Sequence, residues 1–498
     1  MYRPVWCAMT GTRAPTAGGD TLPPPRNLAG VLRQYPEYKG SGVGWVGKVP
    51  DHWQIMPGRA CYTEKKEPNT GLKEKTVLSL SYGKIVVKPV EKLHGLVPES
   101  FETYQIVDPG DIIIRPTDLQ NDWNSLRFGL SHNRGIITSA YMCFRTKKNI
   151  DTRYGHLLLH TYDLNKVFYG LGSGLRQNLD WRDFKYLPCL VPPLPEQSSI
   201  VKFLEGVEKR IRHYILAKRK LIELLNEQKQ AIVNQAVMRG IDPNVQLKPS
   251  GIEWLGNVPE HWEISPLRRY FTVLDCKHLT VPFVDEGIPL ASVSEVQKFD
   301  LDVSTAKRTT LQYFNIIIQG GRKPHRGDII YCRNSSVGAA AYVNTDEDIA
   351  MGQDVCLIRS DKQNTRFLNY QLNYWLGKQQ LNTLLIGSTI KRINVADIKN
   401  LIILLPPKGE QDKIVEFLDK KNEEINNSLV FIKLEIDFIR EYQFRFITDV
   451  VTGKIDVRDV EIVNDAPVVD DLVDAIDELD DNVDDDNHDD NDNDEKDE

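Results

Sequence analysis

The sequence holds no run of about 18 apolar residues, the minimum for a membrane-crossing helix, and no basic, apolar and small-residue succession such as a secretory leader shows. A soluble, cytoplasmic protein with no membrane contact is therefore expected. Cysteine is sparse and scattered: Cys7, Cys61, Cys143, Cys189, Cys276, Cys332 and Cys356 are odd in number and never fall in a C-x-x-C pair. That excludes a disulfide framework and a zinc ribbon, and leaves reduced core residues. No P-loop is present, so nucleotide-triphosphate chemistry is not expected. An adenosylmethionine-binding strand and an Asn/Asp-Pro-Pro-aromatic box are also missing, which a self-contained methyltransferase would need.

What is there begins with charge. Residues 461 to 498 carry 19 Asp/Glu and one Lys, a charge of −18, so the formal net charge of −8 for the whole chain leaves +10 on residues 1–460. Like charges such as Asp484, Asp485 and Asp486 repel and offer nothing apolar to bury, so this tail reads as disordered. The first 30 or so residues, rich in Gly and Pro, read as an unstructured extension or a misassigned start.

Repetition organises the remainder. Lys39, Ser41, Gly42, Trp45, Gly47, Val49, Pro50, His52 and Trp53 recur 209 residues later as Lys248, Ser250, Gly251, Trp254, Gly256, Val258, Pro259, His261 and Trp262. Glu196, Gln197, Ile200, Val201, Phe203 and Leu204 recur at an offset of 214 as Glu410, Gln411, Ile414, Val415, Phe417 and Leu418. The chain is thus two copies of one unit.

Each unit has two unlike parts. From about Trp45 to Leu190, and from Trp254 to Leu405, short β-rich runs are broken by Gly, Pro and Asn, which predicts compact mixed domains. The four repeated tryptophans, in frame segments, read as core anchors. Segments 195–240 and 409–453 each open on Pro or Gly with an acid and run over 40 residues to a glycine, which predicts long capped helices. In the first, Ile200, Leu204, Val207, Ile211, Tyr214, Leu221, Leu225 and Ile232 form an apolar seam with polar lapses at Lys218 and Gln228. In the second, Leu418, Ile425, Ile432, Ile439 and Phe446 fall every seven residues. Such heptads mean a coiled coil, and one helix per repeat makes an antiparallel pair with a pseudo-two-fold the simplest arrangement. The fold class is α+β: two mixed, strand-rich domains separated by two long antiparallel coiled-coil helices.

The phrase from Gly251 to Trp262, its counterpart from Gly42 to Trp53, the junctions Leu190–Gln197 and Leu404–Gln411, and the ending Val451–Arg458 resemble type I restriction-modification specificity subunits over roughly residues 35 to 458. The resemblance implies a DNA-reading subunit with no catalytic centre or cofactor of its own. It implies recognition domains at 35–194 and 241–408 and spacer helices at 195–240 and 409–453, with an extension at 1–34 and an acidic tail at 454–498. The implied partners are double-stranded DNA, two methyltransferase subunits bringing S-adenosylmethionine, and two motor-nuclease subunits bringing ATP and Mg2+.

Recognition needs cations for phosphates and planar or amide side chains for base edges. Candidates around the Gly110-Asp111-Ile112 strand start are Arg115, Asn121, Trp123, Asn124, Arg127, His132, Asn133 and Arg134. Around the equivalent Gly327-Asp328-Ile329 they are Arg322, Lys323, His325, Arg326, Arg333, Asn334 and Ser335, with Lys391 and Arg392 further on. Three motifs point elsewhere. Pro50-Asp51 with Glu64-Lys65-Lys66 spells the PD…ExK of restriction nucleases, but Pro259-Glu260 in the second unit has no ExK at that spacing. His156 and His160 lack the Glu of HExxH and read as an ordinary helix face. The GxGxG at Gly170–Gly174 reads as a turn before a capped helix. A self-contained nuclease with recognition domains and a coiled-coil scaffold with no nucleic-acid role stay open as alternatives.

Truncation after Val460 is expected to move the thermal midpoint by less than about 2 °C, equivalent to under ~1 kcal/mol in a chain of this size. It should also strengthen, not weaken, binding to duplex DNA at low salt, because −18 opposes a +10 body. Thermal melting and salt titration check both.

Overall fold

The long helices start where the sequence places Pro193 and Pro407, residues whose fixed φ and missing N–H suit a helix entrance, and run Leu194–Arg239 and Lys408–Val451. We use a computed structural model, which describes residues 32–460 apart from 82, 90–99, 120–125, 172–177 and 385–391. Compactness divides the chain into Met1–Leu216 with Ile436–Glu498 (unit 1) and Ala217–Glu435 (unit 2). These units do not follow serial order, because each takes part of both long helices. No helix of the described residues is long and apolar enough to cross a membrane.

Unit 1 is built on strands β1 (Tyr62–Lys65), β2 (Ile112–Ile114), β3 (Phe128–Leu130) and β4 (Met142–Thr146), in the antiparallel order β1-β4-β2-β3. Ile112, Ile113 and Ile114 are all fully buried, as a continuous apolar run in a central strand requires. Helix α1 (Thr152–Leu164), N-capped by Asp151, covers the sheet with Tyr154, Leu158 and Tyr162. Unit 2 repeats this with β5 (Thr272–Asp275), β6 (Ile329–Cys332), β7 (Ala340–Tyr342) and β8 (Val355–Arg359) in the order β5-β8-β6-β7. Its helix after the sheet is Thr365–Asn373, N-capped by Asn364. With that helix named α3, the two long helices become α2 (Leu194–Arg239) and α4 (Lys408–Val451).

The repeated residues explain the repeated shape. Glu196, in the first turn of α2, accepts hydrogen bonds from Trp53 Nε1 (2.8 Å) and Tyr35 Oη (2.6 Å) and meets His52 Nε2 at 2.7 Å. Glu410, in the first turn of α4, accepts from Trp262 Nε1 (3.1 Å) and meets His261 Nε2 at 2.7 Å. A carboxylate at a helix N-terminus also sits at the positive end of the helix dipole. The next residue reaches further. Gln197 Oε1 accepts from Asp151 N (2.7 Å) and its amide donates to Pro192 O (2.7 Å). Gln411 does the same with Asn364 N (2.9 Å) and Pro406 O (2.8 Å). The Glu-Gln pair therefore ties each long helix to the preceding hairpin and to the cap of α1 or α3.

Within unit 1 the start of α2 packs Ile200, Phe203, Leu204 and Val207 against Phe446, Val450 and Val451 from the end of α4, with Phe203 and Phe446 ring centroids 5.8 Å apart. Within unit 2, Lys218 Nζ meets Glu435 at 2.9 Å and Lys229 Nζ donates to Asn426 Oδ1 at 2.9 Å, so the two helix parts run antiparallel there. The inward side of α2 differs from the seam read in the sequence. Tyr214 and Leu221 face outward, and Ile215, Lys218, Ile222, Leu225 and Lys229 take the inward places at spacings of three and four. Lysine stems bury along the seam while the charged heads find partners.

Two further expectations are corrected. Residues 454–460 are not part of a free tail: Asp456 N donates to Arg33 O (2.7 Å), Val457 is buried, and Arg458 lies over the Tyr35 ring. Apolar Val457 and the Asp456–Arg33 bridge give this stretch what the acidic run lacks, and they also order residues 32–34 at the other end. Trp45 is 36% exposed, packed edge-on against Tyr162, whereas Trp53 and Trp262 are fully buried anchors. The cysteines Cys61, Cys143, Cys189, Cys276, Cys332 and Cys356 are free and buried, and Cys7 lies outside the described residues.

Replacing Glu196 by Ala strands buried donors on Trp53 and Tyr35 and should cost about 2–4 kcal/mol of stability. Glu410→Ala should cost about half as much, since the Glu410 side chain is 28% exposed against 5% for Glu196. Chemical denaturation of the two variants measures the order, and the reverse order would refute the clamp.

Candidate nucleic-acid interface

The strands β2 and β6 start from the same turn. Asp108 N donates to Asp111 Oδ2 at 2.8 Å and His325 N donates to Asp328 Oδ2 at 2.8 Å, while Gly110 and Gly327 take φ of +90° and +95°. Only glycine enters that region at little cost. The turn aspartates are then paired across the sheet: Asp111 with Arg145 Nε at 2.9 Å and Asp328 with Arg359 Nε at 3.2 Å.

At the far ends of β2 and β6 the chain turns out into loops. In unit 1, Arg115–Asp118 meets the segment before the short helix Trp181–Phe184, with Leu179 N donating to Pro116 O (2.8 Å) and Asp118 N to Asn178 Oδ1 (3.1 Å). In unit 2, Arg333–Ser335 meets the segment before the short helix Val395–Asn400, with Ile393 N donating to Arg333 O (2.9 Å) and Asn334 bridging to Arg392. Both short helices have a capping box, Asp180/Asp183 and Asn394/Asp397, which accounts for the capped helix after the glycine cluster. Gly172 and Gly174 lie outside the described residues, as do the candidates Asn121, Trp123, Asn124 and Lys391.

The other candidates separate into outward and inward groups. His132, Asn133 and Arg134 are exposed in the turn after β3, where Arg134 pairs with Asp108 at 2.5 Å. His325, Arg326, Ser335 and Arg392 are also exposed, and Arg115, Asn334 and Lys323 are half-buried. Lys323 pairs with Asp348 (2.6 Å) and Arg326 with Asp346 (2.9 Å). Exposed pairs of this kind are worth little and can exchange a carboxylate for a phosphate. Arg322 is half-buried and tethers its own loop, donating to Asp275 O (2.7 Å) and Gln319 O (2.8 Å).

Arg127 and Arg333 are corrected. Arg127 is fully buried, its guanidinium donating to Thr117 O (2.6 Å), Asp118 O (3.2 Å) and Tyr169 Oη (3.2 Å). Arg333 is buried too, paired with Asp275 and donating to Ile393 O (3.4 Å). Both hold loops from beneath, because a buried guanidinium must satisfy its donors internally. The sequence reading missed Thr117, Asp118 and Asn178, which the geometry sets at the place of Asn334, Ser335 and Arg392. The offset of the repeat was the signal that leads to them.

The remaining motifs resolve into packing. Lys65 Nζ is held by Asp108 (2.8 Å) and Asp111 (2.9 Å), and Glu64 pairs with Lys66 (2.9 Å), while Asp51 is exposed in a turn. Burial works against the Lys65 charge, but these carboxylates raise its pKa, and Lys65 in turn lowers that of Asp108. Among the described residues, Asp275, Cys276 and His278 bring three ligand types within 4.8 Å, but the Arg333 guanidinium on Asp275 puts a positive charge where a cation would bind. His156 and His160 line a cleft of about 500 Å³ with Leu157, Leu204 and Phe446, their rings stacked 5.9 Å apart.

Residues 298–430 match the family model for the type I restriction modification DNA specificity domain. The chain is 25% identical over 364 residues to the type I restriction enzyme MjaVIII specificity subunit of Methanocaldococcus jannaschii, covering 70% of this chain and 82% of that one. It is 21% identical over 453 residues to the putative MjaX specificity subunit of the same organism, covering 86% and 99%. A solved chain from work on complex assembly and conformational transition of the type I R-M system shares the fold, with TM-score 0.61 at 15% identity over 82% of this chain and 99% of that one.

The histidine pair gives a pH test. Burial, and for His156 the neighbouring His160, holds the imidazoles down to about 3 and about 4. The unfolded chain binds those protons near the ordinary value of 6.5, so stability is full above that pH and falls as pH drops toward 4. The loss should reach on the order of 1–2 kcal/mol per histidine by pH 5. Urea denaturation at pH 7 and pH 5 should show it, and replacing both with Leu should flatten the difference.

Proposed function

We propose that this chain, a specificity subunit of the type I restriction-modification family, reads a split, asymmetric duplex DNA target, one half with each strand-rich domain. The observation that carries this reading is duplication of the frame without duplication of the loops: matching turns, sheets, clamps and capping boxes end in different outward side chains. The chain is the recognition subunit and leaves the chemistry to its partners. Domains 35–194 and 241–408 are the readers. Helices 195–240 and 409–453 form an antiparallel coiled coil between them, with a pseudo-two-fold relating the repeats, and the cross-helix contacts inside each unit support this arrangement.

In the assembled enzyme the chain scaffolds two methyltransferase subunits, which bring S-adenosylmethionine, and two motor-nuclease subunits, which bring ATP and Mg2+. It works in the cytoplasm, on duplex DNA. The exposed His132, Asn133, Arg134, His325, Arg326 and Arg392, with the half-buried Lys323, meet phosphates and base edges. A +10 body supports the phosphate part of that binding.

If the helices set the distance between half-targets, lengthening both by one heptad should lengthen the gap. Insertion of seven residues after Leu221 and seven after Ile432, positions at the same level of the pair in the register set by Lys218 and Glu435, keeps the seam in phase. The pair grows by about 10 Å at ~1.5 Å per residue, or about 3 base pairs at ~3.4 Å each. Selection of bound or methylated sites from a random-spacer library should return the same half-targets further apart. A protein that binds well at its original spacing removes the helices from that role.

A further inference from the structure

We infer that Thr117, Asp118 and Asn178 in unit 1, and Asn334, Ser335 and Arg392 in unit 2, are the specificity-determining side chains for the two half-targets. This rests on the DNA-reading function proposed above and says where in each domain the bases are told apart.

The backbone makes the two sets equivalent. Counting from the shared Gly-Asp-Ile strand start, Thr117 corresponds to Asn334 and Asp118 to Ser335, each at an offset of 217. Asn178 corresponds to Arg392, each one residue before the N–H that crosses to the loop: Leu179 to Pro116 O at 2.8 Å, Ile393 to Arg333 O at 2.9 Å. So the crossing between the two loops is kept while all three side chains change. A position preserved only for packing would keep its size and polarity, as Trp53 and Trp262 do.

Backbone conformation supplies the second argument. Asp118 has φ of +62° and Ser335 has φ of +55°, in the left-handed region that residues with a side chain rarely take. The described residues hold six non-glycine positive φ values, and these two are the pair at equivalent positions of the repeat. Glycine would relax either turn, and glycine is what the protein uses at Gly110 and Gly327 a few residues earlier. Backbone held in sparsely populated conformations clusters at functional sites.

Direction follows from what lies beneath. The carbonyls of Thr117 and Asp118 point inward to the Arg127 guanidinium, at 2.6 and 3.2 Å. In unit 2 the Arg333 side chain turns inward to Asp275 and Ile393 O. Asn178, Ser335 and Arg392 are exposed, and Thr117, Asp118 and Asn334 are half-buried at the same edge. The chemistry differs in kind: a carboxylate accepts from a cytosine amine, an amide pairs with adenine, and a guanidinium forks onto guanine. Arg127 and Arg333 are positioning residues under these loops.

The test uses the chain assembled with its methyltransferase subunits and selects bound sequences from a random DNA library. Asp118→Gly relaxes the backbone and removes the side chain, so a purely structural role predicts unchanged base preferences. The assignment predicts instead at least a roughly tenfold loss of discrimination at one or two base positions of one half-target, the other half unchanged. Asn178→Ala should act on that same half, and Asn334→Ala and Arg392→Ala on the opposite half. These exposed or half-buried truncations keep the experiment readable if Asp118→Gly does not assemble. Unchanged base preferences in all four variants overturn the assignment, as does equal weakening at both halves. A parent complex that selects no split sequence overturns the DNA-reading function itself, which is a different result.

Discussion

One carboxylate at the entrance of each long helix, buried at Glu196 and half-buried at Glu410, determines how a domain and a helix are joined. Glu196 gathers an indole, a phenol and an imidazole, and Glu410 an indole and an imidazole, each at the positive end of a helix. Without that acceptor the repeated Val-Pro-x-His-Trp phrase would bury donors with no partner. With it, the tryptophan fixes the hairpin, and the neighbouring Gln197 or Gln411 fixes the cap of the helix that covers the sheet. Sheet, covering helix and spacer helix thus meet at two consecutive residues. A Glu-Gln dipeptide 214 residues apart is the shortest statement of the whole repeat.

Beyond that joint, the two units spend their charges differently. Unit 1 concentrates Lys65, Asp108, Asp111, Arg134 and Arg145 into one network behind the turn. In unit 2 the corresponding turn carries His325, and the network shrinks to Asp328 with Arg359, leaving Arg326 and Lys323 in exposed pairs with Asp346 and Asp348. The same backbone therefore presents different electrostatic surfaces, which a reader of two unlike half-targets needs.

Much of this was legible in sequence because the repeat and the heptads are periodic, and periodicity survives without coordinates. Ile425, Ile432 and Phe446 lie on the buried side of their helix as the seven-residue spacing predicts. Where the pattern misled, one physical cause recurs: amphipathic residues were sorted by their charged ends. Lys218 looked like a lapse in a seam that its stem and that of Lys229 help to form, and Tyr214 and Leu221 were read into that seam instead. Arg127 and Arg333 looked like surface cations, although each satisfies loop carbonyls from inside. Burial direction after a strand depends on φ at Asp118 and Ser335, and residue type does not reveal it. The family resemblance implied domain bounds but could not choose among polar residues within a loop.

The composition of unit 1 from both ends of the chain bears on how the protein comes into being. Residues up to Leu216 leave the ribosome with Ile200, Phe203, Leu204 and Val207 uncovered, and the residues that cover them, Phe446, Val450 and Val451, emerge more than 200 residues later. Tyr35 waits longer still for Arg458, and Asn165 waits for Thr448. Unit 2, by contrast, is continuous from Ala217 to Glu435, so core residues such as Val233, Trp262, Phe367 and Leu418 are all present once that stretch is made. The second-synthesised unit can close first, while the first-synthesised one carries an open apolar strip through the remainder of translation. At ~5–20 residues per second that interval lasts on the order of tens of seconds, a window in which a nascent-chain chaperone has something definite to hold.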